Sequence, residues 1–493
     1  MSEYVPGTLK PQTIAIVGAG ISGTLLALRL SARNQTNGSN FAPLLIEGEP
    51  RVGPGLAYGA ADEVHLLNVP VSRMEVGFTP SFETWLGAHV LDTAAATAES
   101  GGDLSAAFVG RKLFGQYVYE CAQRALRRAE VNRVRGRVTQ IDKTVNAQHE
   151  VSYSLSMSDG RSLRADKVVL ATGNDAPKAP ALFEDSDGRS LQDSALFIPD
   201  PWQRGAFNDL DVDEPVLLIG TGLTAIDIAL KLHMRGHKGQ IWAVSRRGLL
   251  PKAHKQGGDW PGFLEAATQT SPIRLLQRFR QEARRAGEAG IPWQRVMDAA
   301  RPYVAQIWSG WSTRQRRQFL RHVRPHWDIH RHRLAPRIQS VLTSLHDRGQ
   351  FVALAGRLVS YSRKGEHLTV KVRPRHKAAC MEIKVARVVN CTGPRSDYGQ
   401  SGDPLFVNLR EQGLIQPDLL GLGIETSDAR VIDGRGQVSD SLFALGPLTR
   451  PSWWEITAVP EISVQVSRLI DFLHDRAASS SPVEDFFDLG AGI

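Results

Sequence analysis

The stretch Thr13-Ile-Ala-Ile-Val-Gly18-Ala-Gly20-Ile-Ser-Gly23 decides the fold of the N-terminal region. It reads as a buried strand that runs into a glycine turn, and Thr24 to Leu30 continues it as a helix. In such a turn Gly18 permits the sharp bend, Gly20 lets the backbone approach a pyrophosphate, and Gly23 lets the helix pack closely on the strand. The helix N-terminus also offers unpaired N–H groups and a positive dipole end to phosphate. The pattern therefore predicts a dinucleotide-binding fold.

The second strand, Leu44-Leu-Ile-Glu47, completes this motif. It ends in the carboxylate of Glu47, where an acid accepts hydrogen bonds from a ribose diol. Strand, turn, helix and acid in this order favour a true cofactor site over a purely structural glycine turn. We expect FAD here, on Gly18, Ala19, Gly20, Ile21, Ser22, Gly23 and Glu47.

A second motif of the same kind begins about 200 residues later, with the strand Pro215 to Ile219 and the turn Gly220-Thr-Gly222-Leu-Thr-Ala225. Its following strand ends in Ser245-Arg246-Arg247 instead of an acid. Hydroxyl and cationic groups at this place suit a 2′-phosphate, so the pattern favours NADPH over NADH. The alternative is that the two arginines only form a solvated edge. The predicted contacts are Gly220, Thr221, Gly222, Leu223, Thr224, Ser245, Arg246 and Arg247.

Five more residues are expected at the FAD site from later parts of the chain. Valine-rich strands end at Thr172-Gly173 and again at Thr392-Gly393, where the backbone either approaches the flavin or crosses between domains. A strand also ends at Gly446, and a helix opens near Thr457 whose N-terminus would stabilise negative charge on reduced flavin. The predicted set is Asn68, Thr172, Gly173, Gly446 and Thr457.

The order of these patterns predicts the domain organisation of the 493 residues, which exceed what one core usually holds. We expect an α/β protein with two Rossmann-like dinucleotide-binding domains of the three-layer ββα type, the nicotinamide domain inserted in the FAD domain. The expected parts are an FAD domain over 1–205, a nicotinamide domain over 206–345 with a helical insertion over about 260–335, a returning FAD part over 346–477, and a flexible tail over 478–493.

Composition excludes several other classes. No apolar run is long enough to cross a bilayer, and the N-terminus has no apolar signal segment, so we expect a cytoplasmic protein. The three cysteines form no close pair, which disfavours disulfide chemistry and a zinc site. The net charge of +8 comes without a nucleic-acid-binding motif, so no nucleic-acid partner is expected. Arg331 and Arg333 lie among the histidines His254, His326, His330 and His332, which favours an anion site or a basic surface over a metal.

Several long motifs resemble the FAD/NAD(P)-binding proteins of the YdhS-like family, over nearly the whole chain. The FAD-dependent urate hydroxylases are the branch it resembles most. Asp166 to Gly173 is also similar to the Asp-x3-Phe/Leu-Ala-Thr-Gly segment of the ornithine and lysine N-hydroxylases, although Asn174 departs from the residue that often follows. The motifs are Gly53 to Gly59 with His65 to Pro70, Ser245 to His254, His326 to Arg333, and Gly446 to Arg450 with Trp454 to Pro460.

The resemblance implies a monooxygenase in which NAD(P)H reduces FAD and reduced FAD traps O2 as a C4a-hydroperoxide. Its implied substrate is a small planar anion such as urate, hydroxylated to 5-hydroxyisourate in purine catabolism. Such an anion needs a cation and an aromatic face. An amino-acid N-hydroxylase, a plain FAD/NADPH reductase and a redox-sensing binding protein stay open as alternatives. The candidate catalytic residues are Arg73, Arg450, Trp454 and His332, and ordinary packing is an equal alternative for Trp454.

Overall fold

The N-terminal motif folds as the sequence predicts. Strand β1 (Gln12–Val17) leads through the glycine turn into helix α1 (Ile21–Asn37) and then into β2 (Phe41–Glu47). The two strands are parallel, with Val17 opposite Ile46. In this computed structural model the described residues are 11–37, 41–185, 187–264 and 271–480.

Helices and an antiparallel excursion follow before the chain leaves this domain. The helices are α2 (Gly55–Gly59), α3 (Phe82–Gly87), α4 (Val90–Glu99) and α5 (Arg111–Arg127). The strands are β3 (Asn132–Arg135), β4 (Val138–Val145), β5 (Val151–Met157), β6 (Ser162–Ala165) and β7 (Lys167–Leu170). Strands β4 to β6 form a sheet of their own, and β3 and β7 join β1 and β2.

The second domain is built around the second glycine motif. Its first elements are β8 (Phe197–Ile198), β9 (Val216–Ile219), α6 (Leu223–Met234) and β10 (Ile241–Ser245). Four helices of the insertion follow: α7 (Pro272–Glu288), α8 (Trp293–Gly310), α9 (Thr313–Gln318) and α10 (Arg324–Arg331). The domain then continues with α11 (Pro336–Asp347), β11 (Phe351–Lys364), β12 (His367–Pro374), β13 (Met381–Val385) and β14 (Arg387–Asn390).

The chain finally returns to the first domain. The returning elements are α12 (Pro404–Glu411), β15 (Thr426–Ser427), β16 (Arg430–Ile432), β17 (Val438–Ala444) and α13 (Val459–Ser480). Strand β17 pairs in parallel with β7, which closes the first sheet in the order β15-β16-β17-β7-β1-β2-β3. The expected flexible tail overlaps the end of α13 and otherwise lies outside the described residues.

The first domain has three layers. Helices α1, α5 and α13 cover one face of the parallel sheet, where Leu25, Phe114 and Val466 are fully buried. The antiparallel β4–β6 sheet covers the other face through Tyr153 and Leu155. This is the expected helix–sheet–sheet arrangement, and the predicted fold class with two Rossmann-like domains, one inserted in the other, is confirmed.

The second sheet extends further along the chain than the expected domain boundary at 345. Its order is β13-β12-β11-β10-β9-β14-β8, so its strands reach Asn390. Strand β14 pairs in parallel with β9, Val388 opposite Leu217. The return to the first domain therefore follows β14, at the turn Thr392-Gly393. No helix within the described ranges combines the length and the apolar character needed to cross a membrane.

Candidate functional site

The first glycine turn has the shape that a dinucleotide requires. Gly18 has a φ of +101°, and a Cβ there would lie 2.4 Å from the carbonyl oxygen of Ala171. A Cβ on Gly23 would lie 2.0 Å from the carbonyl oxygen of Gly18, so the helix and the strand touch backbone to backbone. A hydrogen bond from the Thr24 N–H to the Gly20 carbonyl opens the ladder of α1. The amides before Thr24 have no such partner within the helix and therefore remain available to phosphate.

The other residues predicted for the first half of the FAD site border this turn. The Glu47 carboxylate accepts the Ala19 N–H at Oε2 (2.9 Å) and the Glu49 N–H at Oε1 (3.1 Å), and each oxygen keeps a second lone pair with which to accept a ribose hydroxyl. The Thr172 hydroxyl is buried and lacks a hydrogen-bond partner among the described residues. A buried hydroxyl without a partner is costly, so a bound group that supplies one fits here. The residues present fit FAD.

The returning segment approaches the same turn. Gly446 has a φ of +69°, and a Cβ there would lie 2.6 Å from the hydroxyl oxygen of Ser22. Its N–H donates to the buried side chain of Gln465 at 2.9 Å, and Gln465 also donates to the Thr449 hydroxyl at 2.7 Å. Thr457 is exposed and precedes α13 by two residues. Gln465 fixes the Gly446 turn, a role that no local motif signals.

The second glycine turn matches the first in geometry. Gly220 has a φ of +129°, and a Cβ there would lie 2.4 Å from the carbonyl oxygen of Cys391. Gly222 has open space beside it, and α6 begins at Leu223, followed by Thr224. The Thr221 hydroxyl donates to the Leu249 carbonyl at 2.7 Å and is therefore part of the turn itself. The α6 N-terminus presents the same kind of phosphate site as α1.

The three residues after β10 take different positions. The Ser245 hydroxyl accepts the Gly248 N–H at 3.0 Å and contacts the Thr221 hydroxyl at 2.9 Å. Arg247 donates to two backbone carbonyls of the insertion at 3.2 Å each. Arg246 is exposed. Arg246 is therefore the side chain of this group best placed for a 2′-phosphate, whereas Arg247 also ties β10 to the insertion.

A buried ionic network joins the insertion to the start of α13. Arg331, at the end of α10, donates from Nε to Glu455 at 2.8 Å and from Nη2 to Glu461 at 3.2 Å. Arg301 of α8 donates to the same Glu461 oxygen at 2.6 Å, and Trp327 donates to Glu455 at 2.8 Å. The insertion is thereby attached to the segment that completes the FAD domain.

The four predicted catalytic residues lie around this network. The Arg450 guanidinium stacks over Trp454, 4.4 Å from the ring centroid. Burial and, second to it, the charge of Arg324 lower the pKa of Arg450 to about 10. Burial and, second to it, the charge of Arg331 lower the pKa of His332 to about 4. Arg73 is exposed as a residue, but its guanidinium end is partly desolvated, and this desolvation, followed by the charge of Arg301, lowers its pKa.

We call this region the arginine chamber. Positive charge exceeds negative charge in it, because six guanidinium groups face three carboxylates. Oε2 of Glu461 and the Nε atoms of Arg333 and Arg450 are buried without a hydrogen-bond partner among the described residues. Unsatisfied buried polar atoms of both kinds suit a ligand with acceptor and donor groups. The chamber comprises Arg73, Arg295, Arg301, Arg331, Arg333, Arg450, Asp298, Glu455 and Glu461.

His254 links the two domains near this chamber and is buried in the neutral form. Its Nε2–H donates to the Asn68 carbonyl at 2.9 Å, and burial followed by the charge of Arg333 lowers its pKa to about 4. In the unfolded chain a histidine titrates near 6.5, so between these values the unfolded state binds more protons. Stability is therefore full above about pH 6.5 and falls as the pH drops towards 4.

We expect wild-type protein to lose about 2 kcal/mol of unfolding free energy through His254 alone between pH 7 and pH 5. His254→Gln keeps an N–H donor but does not titrate, so its loss over the same interval is smaller by that amount. Urea unfolding of both proteins at the two pH values measures the difference. If the unfolding free energies of the two proteins fall equally between pH 7 and pH 5, His254 is not held in the neutral form.

Two family models match parts of this chain. One, described as FAD-NAD(P)-binding, covers residues 15–175. The other, described as L-lysine 6-monooxygenase/L-ornithine 5-monooxygenase, covers residues 103–256. They confirm the expected cofactors, FAD and a nicotinamide nucleotide, and the expected enzyme class, a flavin-dependent NAD(P)H monooxygenase. No curated protein sequence matches the chain.

Solved structures share the whole fold. Kutzneria ornithine N-hydroxylase aligns with a TM-score of 0.63 at 15% identity, over 95% of this chain and 99% of that one. Ornithine hydroxylase from Pseudomonas aeruginosa gives 0.62 at 15%, over 94% and 99%. L-lysine 6-monooxygenase from Pseudomonas syringae gives 0.60 at 15%, over 95% and 99%. These similarities and the family models support the resemblance to the N-hydroxylases, and they lend no support to the narrower urate hydroxylase branch.

Proposed function

We propose that this chain is an FAD- and NAD(P)H-dependent monooxygenase that N-hydroxylates a small amine carrying an anionic group, as an amino acid does. The observation that carries the proposal is the match of residues 103–256 to the lysine/ornithine monooxygenase model. In the balanced reaction R–NH2, O2, NAD(P)H and a proton give R–NHOH, water and NAD(P)+. One oxygen atom enters the N–H bond, and the nicotinamide supplies the two electrons that reduce the other to water.

Each cofactor has its own glycine turn in this proposal. The first turn, with Glu47, Thr172 and the returning Gly446, holds FAD, and the turn at Gly220–Gly222 holds the nicotinamide nucleotide. Bound FAD, once reduced, supplies the oxygen-activating chemistry. The protein supplies binding, orientation and charge around it.

The arginine chamber is the proposed substrate site. Its excess of guanidinium groups attracts a carboxylate, and Arg73 and Arg450 are the two without an ion pair to a carboxylate among the described residues. Oε2 of Glu461 has no partner and accepts a hydrogen bond from the substrate amine. Trp454 is buried between Trp308 and Arg450 and supports the Arg450 guanidinium. A zwitterionic substrate satisfies both kinds of unpaired atom.

A second candidate is hydroxylation of a planar anion such as urate. One observation favours it: guanidinium groups outnumber carboxylates in the chamber. The Trp454 ring is not free to stack on such a ligand, because Trp308 and Arg450 cover it. The ring N–H groups of urate also satisfy Oε2 of Glu461, so the unpaired atoms of the chamber fit both candidates. The match of residues 103–256 to the lysine/ornithine monooxygenase model is what favours N-hydroxylation.

The test is NADPH oxidation by the purified yellow protein with L-ornithine, L-lysine, urate or no substrate, together with product analysis. The proposal expects faster NADPH oxidation with an amine and a product one oxygen atom heavier that reacts as a hydroxylamine. A hydroxylated purine formed from urate alone would replace it with the second candidate. Hydrogen peroxide as the sole product with all three substrates would contradict both.

Arg73→Gln tests the anion-binding part of the site. Loss of a charged hydrogen bond costs about 1.5–3 kcal/mol, so kcat/KM for the accepted substrate should fall roughly tenfold or more. Arg164→Gln removes another exposed arginine, from β6, and is the matched control. If both variants keep the wild-type KM, Arg73 does not bind the substrate.

Cofactor preference is tested at Arg246. Arg246→Ala removes the exposed guanidinium at the end of β10, and we expect the NADPH/NADH ratio of kcat/KM to fall roughly tenfold, a loss of about 1.4 kcal/mol. The loss should appear with NADPH and not with NADH, because only NADPH carries the 2′-phosphate. Steady-state kinetics with both nucleotides measure the ratio. An unchanged ratio would remove Arg246 from the phosphate site.

A further inference from the structure

A largely buried ion pair joins the nicotinamide domain to the first domain at the helix of the second glycine motif. Arg111 begins α5 of the first domain, and Asp227 lies in α6, five residues after Gly222. The guanidinium donates to the two carboxylate oxygens at 2.7 and 3.2 Å. The two side chains are only 18% and 10% exposed. A two-point contact between planar groups fixes orientation as well as distance.

His65 and the backbone around it support this pair. The His65 ring is buried, accepts the Asp62 N–H at Nδ1 (3.0 Å), and donates from Nε2 to the Asp227 carbonyl at 3.1 Å. Arg111 also donates from Nε to the Leu66 carbonyl at 2.9 Å. Helix α6 is thus held against the segment that precedes Asn68 through both the carboxylate and the backbone carbonyl of Asp227.

Other contacts also join the domains. They include the two chain crossings, the Lys231–Asp62 ion pair at 3.0 Å, the His254–Asn68 hydrogen bond at 2.9 Å, and the network from the insertion to Glu455 and Glu461. The two crossings contact each other through a bridge between Asp175 and Arg395 and a hydrogen bond from the Ser401 hydroxyl to Asp175 at 2.9 Å. Among these contacts the Arg111–Asp227 pair is the two-point, largely buried one in α6 itself, so it fixes the orientation of the helix that carries the second glycine turn.

We propose that Arg111 and Asp227 are positioning residues for flavin reduction. They hold α6, and with it the bound NADPH, at the angle at which the nicotinamide meets the flavin. Hydride transfer requires reacting atoms within about 3–3.5 Å, so a small rotation of the domain slows it strongly. Neither residue touches a cofactor in this role. The inference rests on the proposed use of FAD and NADPH.

Anaerobic stopped-flow reduction of the FAD-loaded protein tests the inference. We expect Arg111→Gln and Asp227→Asn to slow reduction by saturating NADPH at least tenfold, with little change in the Kd of NADPH. Reduction by dithionite should stay at the wild-type rate, because a small reductant needs no domain alignment. The double variant should be no slower than the slower single variant, since both changes remove one interaction.

The control is Lys371→Met, which removes an ion pair to Asp185 of 2.7 Å at the outer part of the second domain. Its reduction rate by NADPH should equal the wild-type rate. If Arg111→Gln does not retain FAD, Arg111→Lys keeps the charge and loses the two-point geometry, and the same slowing is expected. Variants that keep the wild-type rate with NADPH, or that lose the NADPH and dithionite rates alike, overturn the inference. A wild-type protein that NADPH fails to reduce would instead refute the proposed function.

Discussion

Gly222→Val should abolish NADPH binding and leave FAD in place, whereas Gly20→Val should produce a colourless protein without FAD. Each glycine is the second of its motif, where the backbone must approach a pyrophosphate. A Cβ on Gly222 meets nothing within 4 Å, and one on Gly20 comes no closer than 3.6 Å to the Gly55 Cα. The added side chain therefore occupies cofactor space without a severe clash within the protein.

The expected loss at each site is large, since a side chain in the path of the pyrophosphate also removes its hydrogen bonds to the helix amides. We expect the Kd of the affected cofactor to rise at least 100-fold, about 2.7 kcal/mol. Flavin absorbance of the purified protein and NADPH titration of FAD-loaded protein measure the two effects. Gly287→Val is the matched control, because Gly287 is exposed in α7 and a Cβ there also meets open space.

The pair of variants also separates the two sites. If Gly222→Val loses FAD, or if Gly20→Val keeps FAD and loses NADPH, the assignment of cofactors to the two turns is reversed. If Gly287→Val loses either cofactor, the effects at the two motifs reflect folding and not cofactor contact.

The sequence predicted the two glycine motifs because their determinants are local. A strand, a turn that only glycine can adopt at Gly18 and Gly220, and a helix lie within about 20 residues of each other. The end of the second domain, in contrast, has no local determinant in the sequence. Strand β14 resembles β7 in sequence, and only its pairing with β9 assigns it to the second sheet. Strand composition does not reveal which sheet a strand joins.

The arginine chamber was predictable only in part, for the same reason. Arg73, His332, Arg450 and Trp454 were candidates by residue type, and the structure brings them together around Arg331. Their ionic partners were missed, because Arg331 and Glu455 are 124 positions apart and no motif connects them. The Arg111–Asp227 pair, 116 positions apart, was missed likewise. Contacts of this range depend on the packing of whole elements.

Arg331→Met should lower the unfolding free energy of the protein by about 3–5 kcal/mol, because it leaves Glu455 without its guanidinium partner in a buried place. The Arg331 and Glu455 side chains are only 7% and 8% exposed. Arg468→Met is the control, since its pair with Asp428 is 59% and 65% exposed and such a pair contributes about 0–1 kcal/mol. Urea unfolding of the FAD-loaded proteins measures both. Equal losses in the two variants would show that the network contributes no more than a surface pair.

A triple variant, Arg331→Met with Glu455→Gln and Glu461→Gln, then separates stability from function. The triple variant leaves no unpaired buried carboxylate, while Arg301 then bonds a neutral amide at position 461, so we expect part of the lost free energy to return. Substrate-dependent NADPH oxidation should not return, because Glu461 is the proposed partner of the substrate amine and Arg331 positions it. A stable triple variant with wild-type activity would show that the network only fastens the insertion to α13. A stable but inactive one would show that its charges serve the substrate.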